Sequence, residues 1–252
     1  RCFLEYSCFT AQNILYQRWE GGIPTMPRCN ANCIGCISES HLNVTSPQQR
    51  LSFNPSVNEI VEVGTEHLIN ARAAIISFGQ GCEGEPALNA KNLSRAVEIM
   101  RKETPRGTIN LNTNAGYTAG IKEICDAGLD TMRVTIFSCQ QDNYMAYHRP
   151  LNYSFGDVEK SIAYAQDKGV KVSLNLLIFP GFTDREDEIE DLLYFLEGNH
   201  IDMVQLRNLN IDPDYLNSNF SGKSGIGILN FINLLKEELP GLKIRSYSQP
   251  LD

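Results

Sequence analysis

Two hydrophobic rhythms alternate along the chain. Short runs rich in Val, Ile, Leu, Phe and Thr predict strands at residues 74–79, 108–112, 131–137, 170–179 and 203–209, each ending in polar or turn residues. Longer stretches with apolar residues every three to four positions predict helices at 55–72, 90–102, 119–127 and 157–168. Asn54-Pro55 reads as a cap followed by a first-turn proline. Gly128 and Gly169 stand just past the ends of two of these helices, where a left-handed residue closes the last turn. Thr183-Asp184-Arg185-Glu186 opens an acidic helix reaching Leu196, and a final helix at 227–239 stops at Pro240-Gly241, before a short strand at 243–247. One further strand is expected at 23–27.

Strands alternating with helices of this length build βαβ units and a parallel sheet. Six such units are too few for an eight-stranded barrel. A curved, partly open barrel or a doubly wound sheet remains, and in either the working face lies at the C-terminal ends of the strands.

The 252 residues carry a formal net charge of −8, with 22 Lys and Arg scattered and no basic patch. This disfavours RNA or DNA as a partner and favours a peptide, a protein or a small molecule. No apolar run reaches 18 residues, and Arg1, Glu5, Gln12, Gln17, Arg18 and Glu20 interrupt the first twenty positions. A membrane span and a secretory leader are therefore not expected, and a cytoplasmic location is.

Three of the eight cysteines fall within eight residues, as Cys29-x3-Cys33-x2-Cys36. In a reducing compartment such spacing marks a metal site. Three thiolates on one loop suit an iron–sulfur cluster with one iron lacking a protein ligand, whereas Cys29, Cys33, Cys36 and His41 together suit a structural Cys3His zinc site. Cys82 and Cys139 fall at predicted C-terminal strand ends, where a thiol could act as a redox, hydrogen-donor or methyl-carrying group or simply pack. Cys125 reads as structural, Cys2 and Cys8 could ligate an auxiliary cluster, and His67 and His200 read as solvated helix ends. His148 and Arg149 read as a loop with Tyr144 and Tyr147, where they could contact substrate or the tyrosines could simply anchor the loop.

The cysteine triplet after a first strand resembles the radical SAM superfamily, and further landmarks follow in order. Gly84-Glu85-Pro86 after the second strand is similar to its Gly-Glu-Pro motif. Thr113-Asn114-Ala115-Gly116 is similar to its Thr-Asn-Gly turn. The segments Tyr144 to Pro150 and Phe179-Pro180-Gly181-Phe182-Thr183-Asp184 resemble its regions after strands four and five. Gly35 departs from the pattern, since many members have an aromatic residue there; Ile34 or Phe182 could supply the adenine contact.

The resemblance implies a partial (β/α)6 TIM-like barrel, with 1–22 as an N-terminal extension, 23–210 as the core, and 211–252 as a closing helix and strand. It implies a [4Fe–4S] cluster on Cys29, Cys33 and Cys36, and S-adenosylmethionine (SAM) held at its methionine part by Gly84, Glu85 and Pro86. Asn112, Asn114, Ser138, Asn175 and Arg207 are candidates for its ribose or carboxylate, and Cys82 and Cys139 for catalytic thiols. A one-electron donor of flavodoxin or ferredoxin type would serve it. Activation of a glycyl-radical enzyme, RNA modification and a zinc-stabilised scaffold without catalysis are the other readings.

Overall fold

A computed structural model describes residues 2–39, 46, 48–220, 222 and 224–251. Its strands are β1 (Glu20–Gly22), β2 (Ile75–Phe78), β3 (Thr108–Thr113), β4 (Thr131–Ile136), β5 (Lys171–Leu177), β6 (Met203–Arg207) and β7 (Lys243–Arg245). They form one sheet in sequence order, every neighbouring pair parallel. The result is a curled half-barrel with helices outside.

The helices are α1 (Phe9–Leu15), α2 (Val57–Asn70), α3 (Ala90–Glu103), α4 (Thr118–Asp126), α5 (Gln141–His148), α6 (Phe155–Asp167), α7 (Glu186–Gly198), α8 (Pro213–Asn219) and α9 (Ile228–Glu238), with a 3-10 turn at Pro86–Asn89. None is long and apolar enough to cross a membrane. Gly128 and Gly169 do adopt positive φ, +108° and +79°, past α4 and α6. At α2 the cap is Ser56 rather than Asn54, because Ser56 and Glu59 form a reciprocal capping box.

The first strand lies at Glu20–Gly22, not at 23–27. Pro24 and Pro27 lack the N–H that a ladder requires. Gly21, by contrast, lets α1 and α2 close over the strand, since a Cβ there would strike Ile14 and crowd His67. His67 is consequently buried rather than solvated, with Nε2 3.0 Å from the Trp19 carbonyl. The segment with Tyr144, Tyr147 and His148 is helix α5 rather than a loop, and Arg149 ends it in the left-handed region.

The two faces of the sheet differ in chemistry. Ile109 and Leu111 on β3, Met132, Val134 and Ile136 on β4, Val172, Leu174 and Leu176 on β5, and Val204 on β6 pack into the main apolar core. The alternate residues face the lumen: Asn110 and Asn112, Thr131, Arg133 and Thr135, Ser173 and Asn175, Gln205 and Arg207. Closed eight-stranded barrels fill this space with branched apolar side chains. Here the register lines up Asn112, Arg133 and Ser173 in one polar row and Thr135, Asn175 and Gln205 in the next.

Candidate active site

Cys29, Cys33 and Cys36 all line a cleft of about 280 Å³ at the C-terminal ends of the strands. Their loop has few regular bonds of its own and is pinned from several sides. Asn32 N–H donates to the His148 carbonyl (3.1 Å), Ile34 N–H to Tyr147 (2.9 Å), and Leu151 N–H to Asn30 (2.9 Å). Behind it lies a second apolar cluster in which Tyr147 stacks on Phe137 at 4.2 Å and Phe137 on Phe182 at 4.8 Å. Ile34 and Phe182 are buried in this cluster and do not line the cleft, so neither is placed as an adenine contact. Tyr147 does line it, and its hydroxyl occupies the space that a Cβ on Gly35 would need. The aromatic ring missing at position 35 is thus present next to it, delivered from α5.

The loop after β2 forms the opposite wall. Gly84 N–H donates to the Met26 carbonyl (2.6 Å) and Glu85 N–H to Arg28 (2.9 Å), an approach so close that a Cβ on Gly84 would strike the Arg28 carbonyl. Glu83 is buried and ties this loop to the segment after β1. Its carboxylate accepts Thr25 N–H (2.7 Å), Thr25 Oγ1 (3.1 Å), Met26 N–H (3.1 Å), Gly79 N–H (2.6 Å) and Gln80 N–H (3.0 Å). Glu85 lines the cleft, but its carboxylate already accepts Thr113 Oγ1 (2.6 Å), Asn114 N–H (2.7 Å) and Ala87 N–H (3.0 Å). A carboxylate has about four acceptor sites, so Glu85 keeps capacity for one more donor. Pro86 begins the 3-10 turn and is buried away from the cleft.

The remaining candidates divide. Asn112, Asn114, Asn175 and Arg207 line the cleft. Asn114 is largely consumed in holding the cysteine loop, donating from Nδ2 to Asn30 Oδ1 at 2.7 Å while its Oδ1 accepts Gly116 N–H. Ser138 does not line it; its hydroxyl donates to buried Glu188 at 2.7 Å. Cys139 packs against the main core, and burial together with the Glu188 carboxylate pushes its thiol well above the ordinary range. Cys82 opens into a neighbouring recess instead. Their strand-end positions left both thiols open between facing the cleft and simply packing. The chain turns after β2 and β4 carry them elsewhere.

Sequence reasoning missed Arg50, Arg133, Thr135 and Gln80, all of which line the cleft; His148, read as a possible substrate contact, lines it as well. The Nη2 of Arg50 lies 3.8 Å from Cys36 Sγ and 2.7 Å from Glu39, and His148 Nδ1 is 3.5 Å from Cys33 Sγ. Burial lowers the His148 pKa to about 3, which keeps the ring neutral. Three guanidiniums, Arg50, Arg133 and Arg207, therefore share one cleft in an acidic chain. Charges distant in sequence gave no sign of it beyond the alternation T-M-R-V-T-I in β4.

Several buried polar atoms in or beside the cleft have no partner among the described residues: Arg133 Nε, Asn175 Oδ1, both amide atoms of Gln205, Gln80 Nε2 and His148 Nε2. Such atoms are costly unless a ligand or water satisfies them. Three thiols lining the same cleft suit a cubane and a polar organic ligand, and His41 of the zinc alternative lies outside the described residues.

A family model, the radical SAM superfamily, matches residues 23–193. The chain belongs to the radical SAM superfamily. The cofactors of this family are a [4Fe–4S] cluster and SAM. The chain is 24% identical to a probable dual-specificity RNA methyltransferase RlmN of Chlorobium phaeobacteroides, over 75% of this chain and 56% of that protein. It is 29% identical to a GTP 3′,8-cyclase of Thermodesulfovibrio yellowstonii, over 71% of this chain and 51% of that one. It thus spans about half the length of the curated relatives it matches. Among solved structures, the radical SAM methyltransferase of Sphaerobacter thermophilus shares its fold with a TM-score of 0.63 and 21% identity, over 88% of this chain and 64% of that one. Methylornithine synthase (PylB) gives 0.62 at 16% identity, over 93% and 67%.

Proposed function

We propose that Cys29, Cys33 and Cys36 ligate the cluster, and that SAM lies in the lumen beneath them and initiates hydrogen abstraction from a peptide, a protein or a small molecule. When bound, the pair supplies reductive cleavage of the S–C5′ bond and a 5′-deoxyadenosyl radical. The chain's own groups bind and orient. Glu85 and the carbonyls around Gly84 offer acceptors to the ammonium of the methionine part, and Arg207 or Arg133 offers a guanidinium to its carboxylate. Asn112, Asn175 and Thr135 offer donors and acceptors to hydroxyl groups, and Tyr147 offers a ring edge beside Gly35. A small one-electron donor of flavodoxin or ferredoxin type completes the reaction, which is of oxidoreductase or lyase type.

The observation that carries this reading is the meeting of three thiols with a row of unpartnered polar atoms. An RNA substrate is the second reading. Relatives named as RNA methyltransferases and the three guanidiniums of the cleft favour it against the net charge of −8. Anaerobic reconstitution followed by dithionite tests the proposal. The expected product is 5′-deoxyadenosine from SAM, lost in Cys29→Ser, Cys33→Ser and Cys36→Ser while the circular dichroism is unchanged. A colourless protein with one zinc and no SAM turnover would establish the scaffold reading instead.

A further inference from the structure

A second group of three thiols stands beside the first. Cys2, Cys8 and Cys82 line one recess of about 380 Å³, which shares Ile37, Gln80, Gly81 and Arg207 with the cleft. Cys2 and Cys8 both lie close enough to Cys82 to act on its thiol electrostatically. Their backbones are fixed. Cys8 N–H closes a turn onto the Cys2 carbonyl at 2.9 Å, immediately before α1, and the Cys82 carbonyl accepts Leu51 N–H at 2.9 Å.

Packing does not account for these three. Cys125 belongs to the main core, and Cys29, Cys33 and Cys139 rest against it, whereas Cys2, Cys8 and Cys82 join neither apolar cluster. They are half-buried and open into a recess. Among the described residues no group of three His, Cys, Asp or Glu side chains is placed as it stands to hold a metal ion. That is equally true of Cys29, Cys33 and Cys36, so it does not separate the two sets.

We propose that Cys2, Cys8 and Cys82 form a second thiolate metal centre at the mouth of the active-site cleft. Soft thiolate ligands select iron–sulfur clusters or zinc among the metals of a cell. With three protein ligands, one coordination position is left open, and Arg207 lines both the recess and the cleft beside it.

The test uses the Cys29→Ser/Cys33→Ser/Cys36→Ser variant, reconstituted anaerobically with iron and sulfide and, separately, with zinc. The inference requires about one centre per chain to remain, and to disappear when Cys82→Ser is added. Iron with equal sulfide identifies a cluster; zinc without sulfide identifies a mononuclear site. If the triple variant does not fold, the wild type provides the count. Cys8→Ser should then lower bound metal by one centre, about four of eight irons if it is a cluster, and leave the SAM-cleaving centre countable. The inference is overturned if the triple variant holds no more metal than one also lacking Cys2, Cys8 and Cys82. It is equally overturned if Cys2 and Cys82 are recovered as a disulfide from protein purified without oxygen. Neither result touches the assignment of Cys29, Cys33 and Cys36.

Discussion

Below Arg133 the polar groups of the lumen satisfy one another, and above it they do not. On the lower side, Glu20 accepts Ser77 Oγ (2.7 Å) and Ser248 Oγ (2.6 Å) and pairs with Arg133 (3.7 Å), while Ser248 also accepts from Arg133. Asn110 bridges Ser77 and Thr131, and Leu251 N–H donates to Thr108 Oγ1 at 2.8 Å, drawing the C-terminal segment across the strand starts. On the upper side, Asn175 Oδ1, both amide atoms of Gln205 and the Nε of Arg133 itself have no partner among the described residues. Arg133 alone lines both the lower cavity and the upper cleft. A polar lumen can therefore be structural at one end and receptive at the other, and hydrogen-bond satisfaction distinguishes the two where polarity does not.

The strongest way to break this comparison is at the divide. Arg133→Ala leaves the half-buried Glu20 without its cation, and stability should fall by about 2 kcal/mol in denaturant unfolding. A loss below about 1 kcal/mol would mean that the lower network does not depend on the pair. One layer up, the effect should move from stability to chemistry. Asn175→Ala removes an amide whose Oδ1 has no partner among the described residues. 5′-Deoxyadenosine formation should drop about tenfold, near 1.4 kcal/mol, with the unfolding midpoint within about 0.5 kcal/mol of wild type. An Asn175→Ala protein that unfolds early and cleaves SAM normally would reverse the two roles.

The smallest effect concerns the wall of the cleft. Burial pushes the Glu83 carboxyl from 4.5 up to about 7, outweighing the five donors around it. A folded-state value above the unfolded one makes its contribution to stability complete below pH 4.5 and lost as the pH rises through about 7. Denaturant midpoints should decline across that window, and Glu83→Gln should flatten the decline.

Much of the frame was legible in sequence because it rests on local rules. The strands from β2 to β7 and the glycine ends of α4 and α6 follow from periodicity and from φ. The cysteine triplet was legible for the same reason, since its ligand spacing is local. What escaped was set by distance in space. Strand β1 is short and depends on Gly21 meeting Ile14, and α5 has almost no apolar periodicity to announce it. Cys82 and Cys139 sit at strand ends by count, yet turns of two or three residues send one to a side recess and the other to the core. Arg50, Arg133 and Arg207 lie far apart in the chain, and only the curl of the sheet makes them neighbours.

Electron paramagnetic resonance of the dithionite-reduced, reconstituted protein, recorded with and without SAM, reaches the central claim most directly. A cluster with one iron open to the upper lumen must give a signal whose g values change when SAM is added, and Cys33→Ser must abolish that SAM-responsive signal. A reduced cluster indifferent to SAM, or a SAM response that survives Cys33→Ser, would contradict it.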